Sequence, residues 1–280
     1  MTRLAKDGLP ARVSGPWTRE KLTYLQKYAT AFMTAMAPKR QQGKWDKLVY
    51  LDLLSGPGKG MDADTGTEFD GSPLLALQVR PAFDRMYFAD LKKTNINALK
   101  RRIPETDQSR VDLRVGDCNQ LAVEIVSGLS RRTLGLAFVD PQGFQATFKA
   151  FQALARRPID ILYLFPGGIG VTRNLPAFVK KAGGPLDALI PGWRKLKRAR
   201  IAAGELSKDE LASHDQPFVM EFRKQMATLG FQYSDQGDPY LTNEKNVMMY
   251  HLLFFSQHPA GLTLWRGVRQ IEPSGQRRLL

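Results

Sequence analysis

Val49-Tyr50-Leu51-Asp52-Leu53-Leu54-Ser55-Gly56-Pro57-Gly58 decides how this chain is read: an apolar run ends in an acid and then breaks into a turn of small residues. An apolar run bounded by turn residues reads as a buried parallel strand. The glycines matter because a loop that wraps close to a ligand needs backbone without Cβ bulk, and often positive φ. The acid at the strand end can take a ribose hydroxyl, an amine or a loop amide. A dinucleotide fingerprint would read Gly-x-Gly-x-x-Gly and lead straight into a helix. Here only Gly56 and Gly58 are present, with Asp52 six residues before the second. That spacing is closer to the nucleoside loop of S-adenosylmethionine enzymes than to a pyrophosphate loop, although an acid and two glycines also serve as plain punctuation at a strand end.

Outward from this stretch, the elements alternate. Before it, Leu22, Leu25, Tyr28, Ala29, Phe32 and Met36 recur at three- and four-residue steps, which predicts a helix over residues 17–37. After it, the polar stretch Lys59 to Asp70 reads as a mobile flap. Gly71-Ser72-Pro73 then opens a helix, with Ser72 as N-cap and Pro73 in the first turn. Strands follow at Arg85–Asp90, Val111–Val115, Leu134–Val139 and Ile159–Phe165, with helices between them. Strands alternating with helices mean βαβ crossovers and a mostly parallel, doubly wound sheet of the α/β class. Residues 185–236 leave that pattern and read as a helical insertion after the fifth strand, near the substrate mouth, with helical segments near Lys208 to Leu211 and from Phe218 to Leu229. Val247 to Ser256 reads as the strand of a closing hairpin, with His251 in the core or at an edge, and Trp265 and Arg266 as part of a last helix or turn. At 280 residues and 43% hydrophobic composition, residues 1–280 suffice for one elaborated domain.

Composition excludes several classes. The lone Cys118 rules out an internal disulfide and a cysteine-rich metal centre, and His214, His251 and His258 lack ligand spacing, so no metal is expected. No stretch approaches the about 18 apolar residues of a membrane span, and the first ten residues lack a signal-peptide core; a cytoplasmic protein is expected. The formal charge of +14, from 41 basic and 27 acidic residues, favours a nucleic acid or other polyanion as partner. The densest basic segment supplies Arg194, Lys195, Lys197, Arg198 and Arg200 as candidate substrate contacts; basic residues at helix ends also arise simply from the helix dipole.

In open α/β sheets, ligands bind outside the carboxyl ends of the strands. Four of the five strand ends carry an acid: Asp52, Asp90, Asp117 and Asp140. Each alone reads as a cap or turn residue. Four together would be costly to bury without partners, and a cationic, hydroxyl-rich ligand offsets that cost. S-adenosylmethionine fits, with Asp90 accepting the ribose hydroxyls, Asp117 the adenine amine, the turn at Gly56, Pro57 and Gly58 under the methionine portion, and Asp140 facing the methyl group.

The combination of Asp52-Leu-Leu-Ser-Gly-Pro-Gly58, Gly71-Ser-Pro-Leu-Leu-Ala-Leu77, Gly116-Asp-Cys-Asn119, Phe138-Val-Asp-Pro-Gln-Gly143 and Met249-Tyr-His-Leu-Leu-Phe-Phe-Ser256 resembles the three-Cys-motif partner protein family, from about Trp17 to Val268. Members commonly have Phe-Ala where this chain has Leu54-Ser55. The resemblance implies a Rossmann-like class I methyltransferase fold with S-adenosylmethionine held by Asp52, Ser55, Gly56, Pro57, Gly58, Asp90, Asp117, Cys118 and Asn119. It also implies a partner with a cysteine triad that resembles a radical S-adenosylmethionine protein.

Asp140, Pro141 and Gln142, followed by Gly143, form the candidate catalytic turn. The turn resembles the Asp-Pro-Pro-Tyr motif of amino-group methyltransferases, but lacks the second proline and the aromatic, with Phe144 one place late. A Pro-stiffened turn after a buried strand accounts for it equally. Cytosine C5 chemistry would need a thiolate, and Cys118 is expected on the adenine side, away from Asp140. Two readings stand: a methyltransferase acting on nucleic acid or another anion, and a cofactor-binding partner subunit without its own reaction. A nucleotide-binding dehydrogenase is disfavoured by the missing third glycine.

Overall fold

The computed structural model describes residues 2–15, 17–204, 216–243 and 247–270. Among them run twelve strands: β1 (Thr2–Leu4), β2 (Pro10–Ser14), β3 (Lys47–Asp52), β4 (Lys59–Asp62), β5 (Glu68–Asp70), β6 (Arg85–Asp90), β7 (Val111–Val115), β8 (Thr133–Val139), β9 (Ile159–Phe165), β10 (Tyr233–Ser234), β11 (Tyr240–Thr242) and β12 (Met248–Ser256). The main sheet has the order β10-β12-β9-β8-β3-β6-β7, with β11 also paired to β12. From β7 to β9 every neighbouring pair is parallel, whereas β12 runs antiparallel to β9 and carries β10 and β11 antiparallel. The molecule is thus α/β with a mixed sheet whose central block is parallel.

Side-chain alternation sends each strand's apolar residues to two faces. In β3, Val49 and Leu51 join the core built with the helices Cys118–Ser127 and Phe148–Leu154. Leu48 and Tyr50 join the opposite core, under the helices Trp17–Gln41, Ser72–Gln78 and Pro259–Arg269. The N-terminal helix buries the expected stripe from Leu22 to Met36 and extends to Gln41, past the expected end at residue 37. Trp265, on the last helix, stacks on Phe254 with centroids 5.4 Å apart and meets Tyr28 edge-on, which locks the first and last helices together over the sheet.

The structure differs from the sequence reading in three places. Lys59 to Asp70 is not a loose flap: β4 and β5 form a hairpin that joins β1 and β2 in a second, four-stranded sheet, with β2 parallel to β4. The sequence hides this pairing because short polar strands become legible only when their partners, more than forty residues away in the chain, are known. Gly71, not Ser72, is the N-cap of the helix Ser72–Gln78, which frees Ser72 to face the Asp52 carboxyl. The helical departure after β9 begins before residue 185, with turns from Gly167 to Lys180, and its Leu186, Leu189, Trp193, Phe218 and Phe222 pack into the sheet core. It therefore serves as the crossover from β9 to β12. The helix expected near Lys208 to Leu211 lies outside the described residues.

Candidate functional site

The chain leaves β3 for β6 and β7 on one side and returns to β8 and β9 on the other, so the strand order reverses between β3 and β8. Beyond the carboxyl ends of two such strands a crevice opens. Asp52 ends β3 and Asp140 follows β8.

Asp52 is fully buried; burial pushes its carboxyl up to about 7, against the pull of Ser72, while the nearby Asp140 and Asp90 carboxylates push the same way. Its Oδ2 and the Ser55 hydroxyl are buried with no hydrogen-bond partner among the described residues. Gly56 and Gly58 have φ of 64° and 91°, the left-handed region that makes glycine the fitting residue. Gly56 N donates to Asp90 Oδ2 at 3.0 Å, and Asp90 Oδ1 accepts from Lys92 N at 2.7 Å and Asn95 Nδ2 at 3.0 Å. The acid ending β6 therefore shapes the turn after β3.

Asp117 caps the helix Cys118–Ser127, accepting from Asn119 N at 3.0 Å and Gln120 N at 3.2 Å. Asn119 staples the segment after β8: its Nδ2 donates to Gln145 O at 2.9 Å and its Oδ1 accepts from Thr147 N at 2.7 Å. The Cys118 thiol also faces Gln145 O, and burial, aided by Asp117, pushes it up to about 12. Cys118 lines the same cleft as Asp140. A thiol so strongly held protonated is nonetheless a poor nucleophile.

Asp140 meets two cations. Lys21 Nζ, on a side chain only 4% exposed, lies 2.5 Å from Asp140 Oδ2, and Arg12 Nη1 lies 3.7 Å away. Burial holds the Lys21 ammonium below the usual lysine range, against the pull of Asp140. With its amide oriented to accept, Gln142 Oε1 takes hydrogen bonds from Arg12 Nε at 2.8 Å and Nη2 at 3.2 Å. Sequence reasoning missed both cations. Lys21 left one signal, since a lysine in register with Leu25, Tyr28 and Phe32 sits on the buried stripe of its helix; Arg12 left none.

Two clefts meet at Arg12, Leu54 and Asp140. One, of ≈ 420 Å³, runs beside Lys21 and the turn Ser55–Gly58 to Gly71 and Ser72. The other, of ≈ 650 Å³, is lined by Asp90, Asn95, Asp117, Cys118 and Gln142.

The basic segment lies elsewhere. Arg194 is an internal clamp: its guanidinium donates to the Asp187 carboxylate and to the carbonyls of Val179, Phe178 and Lys181, at 2.9 to 3.1 Å. These bonds engage most of its donors inside the crossover, while its side chain stays 35% exposed. Lys195 and Arg200 are exposed, and neither lines either cleft. Lys197 and Arg198 lie on the helix Lys197–Ala202, their side chains outside the described residues. His251 is buried against the rings of Phe165 and Tyr240. Among the described residues no group of side chains fit to hold a metal ion occurs, and no helix is long and apolar enough to cross a membrane.

No protein-family model matches the chain, and no curated protein does. Among solved structures, it is similar to a Legionella pneumophila protein of the DUF519 family, at 14% identity over 91% of this chain and 94% of that one, with a TM-score of 0.49. It is similar to Trm1 from Pyrococcus horikoshii in complex with S-adenosyl-L-methionine, at 12% identity over 90% of this chain and 58% of that one, TM-score 0.43. The methyltransferase domain of bacterial CtHen1 shares 11% identity over 82% of this chain and 99% of that one, TM-score 0.36.

Proposed function

We propose that this chain is an S-adenosylmethionine-dependent methyltransferase whose acceptor docks at Asp140, Pro141 and Gln142. The observation that carries the reading is the joining, at the reversal of strand order, of the glycine turn and the acids Asp90, Asp117 and Asp140 along two contiguous clefts, with Asp52 buried at the end of β3 just before the turn. The unpartnered Asp52 Oδ2 and Ser55 hydroxyl beside the turn suit a cationic, hydrogen-bonding group such as the ammonium end of this cofactor. Asp90 and Asp117 keep acceptor capacity for the ribose hydroxyls and the adenine amine.

When bound, the cofactor supplies an electrophilic methyl group. What the chain itself provides is alignment. The glycine turn, braced by Asp90, orients one end of the ligand, and the cap at Asp117 orients the other. Lys21 and Arg12 hold the Asp140 carboxylate in place at the junction of the clefts. Arg12, 28% exposed, gives the junction a positive charge suited to an anionic acceptor such as nucleic acid.

Titration calorimetry with S-adenosylmethionine and S-adenosylhomocysteine tests the cofactor site, with Asp90→Asn expected to weaken both by about tenfold. Absence of binding by the wild type would overturn the proposal. The ion cluster favours one other reading. An acid already occupied by Lys21 and Arg12 suits a cofactor-binding partner subunit, of the kind implied by the resemblance to three-Cys-motif partners. Asp140→Ala separates the two: retained cofactor binding with lost transfer of labelled methyl supports the enzyme, and unchanged methyl transfer refutes the assignment of Asp140.

A further inference from the structure

The strand β7, Val111-Asp-Leu-Arg-Val115, ends the main sheet, and among the described residues no strand pairs with its outer edge. Its inner side runs parallel to β6, where Met86 N donates to Arg110 O at 2.8 Å and Gly116 N donates to Asp90 O at 3.1 Å. In a ladder, alternate residues of a strand bond to the same neighbour, so Asp112 and Arg114 also turn their backbone toward β6. The N–H and C=O groups of Val111, Leu113 and Val115 point the other way, outward. Such a row is a template for a further strand.

The side chains divide by the same period of two. Val111 and Leu113 pack partly against the core beneath the N-terminal helix, and Val115 is 48% exposed. On the opposite face the Asp112 carboxylate accepts from Arg114 Nε and Nη2, each at 3.1 Å, with Arg85 Nη2 3.8 Å away. Arg114 lies over the Tyr87 ring, 5.9 Å from its centroid. Both charged side chains remain partly open to solvent, and so can meet a second pair of charges.

The sequence of the edge selects its occupant. A second copy, laid antiparallel so that outward backbone groups meet, can overlap β7 about a two-fold axis at Asp112, at Leu113 or at Arg114. An axis at Asp112 sets that carboxylate against its own copy, and an axis at Arg114 does the same with the guanidinium; like charges directly opposite are destabilising. The axis at Leu113 pairs the whole strand: Val111 faces Val115, Asp112 faces Arg114, and every outward N–H and C=O finds a partner. We propose that the outer edge of β7 is the interface of a symmetric homodimer, paired antiparallel about Leu113, with Asp112 of each copy against Arg114 of the other. The carboxyl ends of the two sheets then point in opposite directions, so neither copy covers the other's cleft. The assignment does not depend on the methyltransferase reading.

Sedimentation equilibrium of the full chain at about 1 to 500 μM should show a monomer–dimer equilibrium. Asp112→Arg and Arg114→Asp each place like charges at both cross-strand contacts, and each alone should weaken the dimer by about tenfold or more. Mixing the two variants, one of them fluorescently labelled, restores opposite charges only in the mixed pair and should restore association. Leu113→Cys tests the register, because residues facing across a hydrogen-bonded antiparallel pair lie about 5.5 Å apart at Cα, within reach of a disulfide. It should cross-link to its own copy in oxidised glutathione, whereas Val111→Cys, which faces Val115, should not; the native Cys118 is buried. The proposal is overturned if the wild type stays monomeric throughout, which would mean that the charges merely shield the edge. It is also overturned if either single variant dimerises as the wild type does, if mixing restores nothing, or if Val111→Cys cross-links as fast as Leu113→Cys.

Discussion

A buried carboxyl held at about 7 just before the glycine turn makes ligand affinity a function of pH. Asp52 attracts a cationic ligand only when ionised, so S-adenosylmethionine affinity should rise as pH climbs through about 7 and level off above it. Calorimetry below that point, in buffers of different ionisation enthalpy, should detect proton release on binding, and Asp52→Asn should abolish both the release and the pH dependence. Stability should run the other way. The raised value means that the folded chain keeps a proton the unfolded chain has already lost, so stability is greatest below the ordinary carboxylate range and falls as pH rises to about 7. Lys21 lends itself to a second test at this scale. Lys21→Met strands a nearly buried Asp140 carboxylate, and urea denaturation should show a loss of about 3 kcal/mol, most of it recovered in the double variant Lys21→Met/Asp140→Asn.

Among the elements, the four-stranded sheet at the N-terminus does the most to shape the site. It brings Arg12 and Ser14 on β2 against the glycine turn. Arg102, with only 4% of its side chain exposed, latches it there: Nη1 donates to Pro10 O at 2.8 Å and to Pro57 O at 2.6 Å, and Nε and Nη2 hold the Asp7 carboxylate. That guanidinium keeps the Asp7 carboxyl well below the usual range. Arg102→Ala should release the hairpin β1–β2 while leaving the main sheet intact. Limited proteolysis should then cut between residues 5 and 9, and cofactor affinity should fall by about tenfold, with little change in the denaturation midpoint of the main sheet. A variant as resistant as the wild type would show that the pairing of β2 with β4 suffices by itself.

For the whole molecule, the charge of +14 is the broadest property. If the acceptor is a polyanion, binding of a single-stranded oligonucleotide should weaken linearly in log K against log salt. Arg12→Ala should lower the slope by about 0.7, the single-strand value for one lost phosphate contact. Arg194→Ala should instead lower stability and leave the slope alone, because its guanidinium serves carbonyls and Asp187 within the crossover. A flat salt profile would turn the search toward small anionic acceptors.

Most of the parallel block could be read in the sequence: Ile159–Phe165, buried along its whole length, announces itself as an apolar run, and Arg85–Asp90 and the half-buried edge strand Val111–Val115 also have the expected bounds. The acids at their ends were equally legible, since a strand's end fixes which residue reaches the crevice. The partners of those acids were not. Lys21 and Asp140 are 119 residues apart, and nothing local in either segment encodes their contact. Likewise, the polarity of Lys59 to Asp70 suggested a flap because pairing between short strands is a property of the partner, not of the segment. The density of basic residues around Arg194 pointed outward, yet packing turned Arg194 inward. Local pattern determined the elements and the positions of their ends; which charges meet, and which cavities remain, was decided only when distant segments packed, since Coulomb and hydrogen-bond energies depend on distances that chain order does not carry.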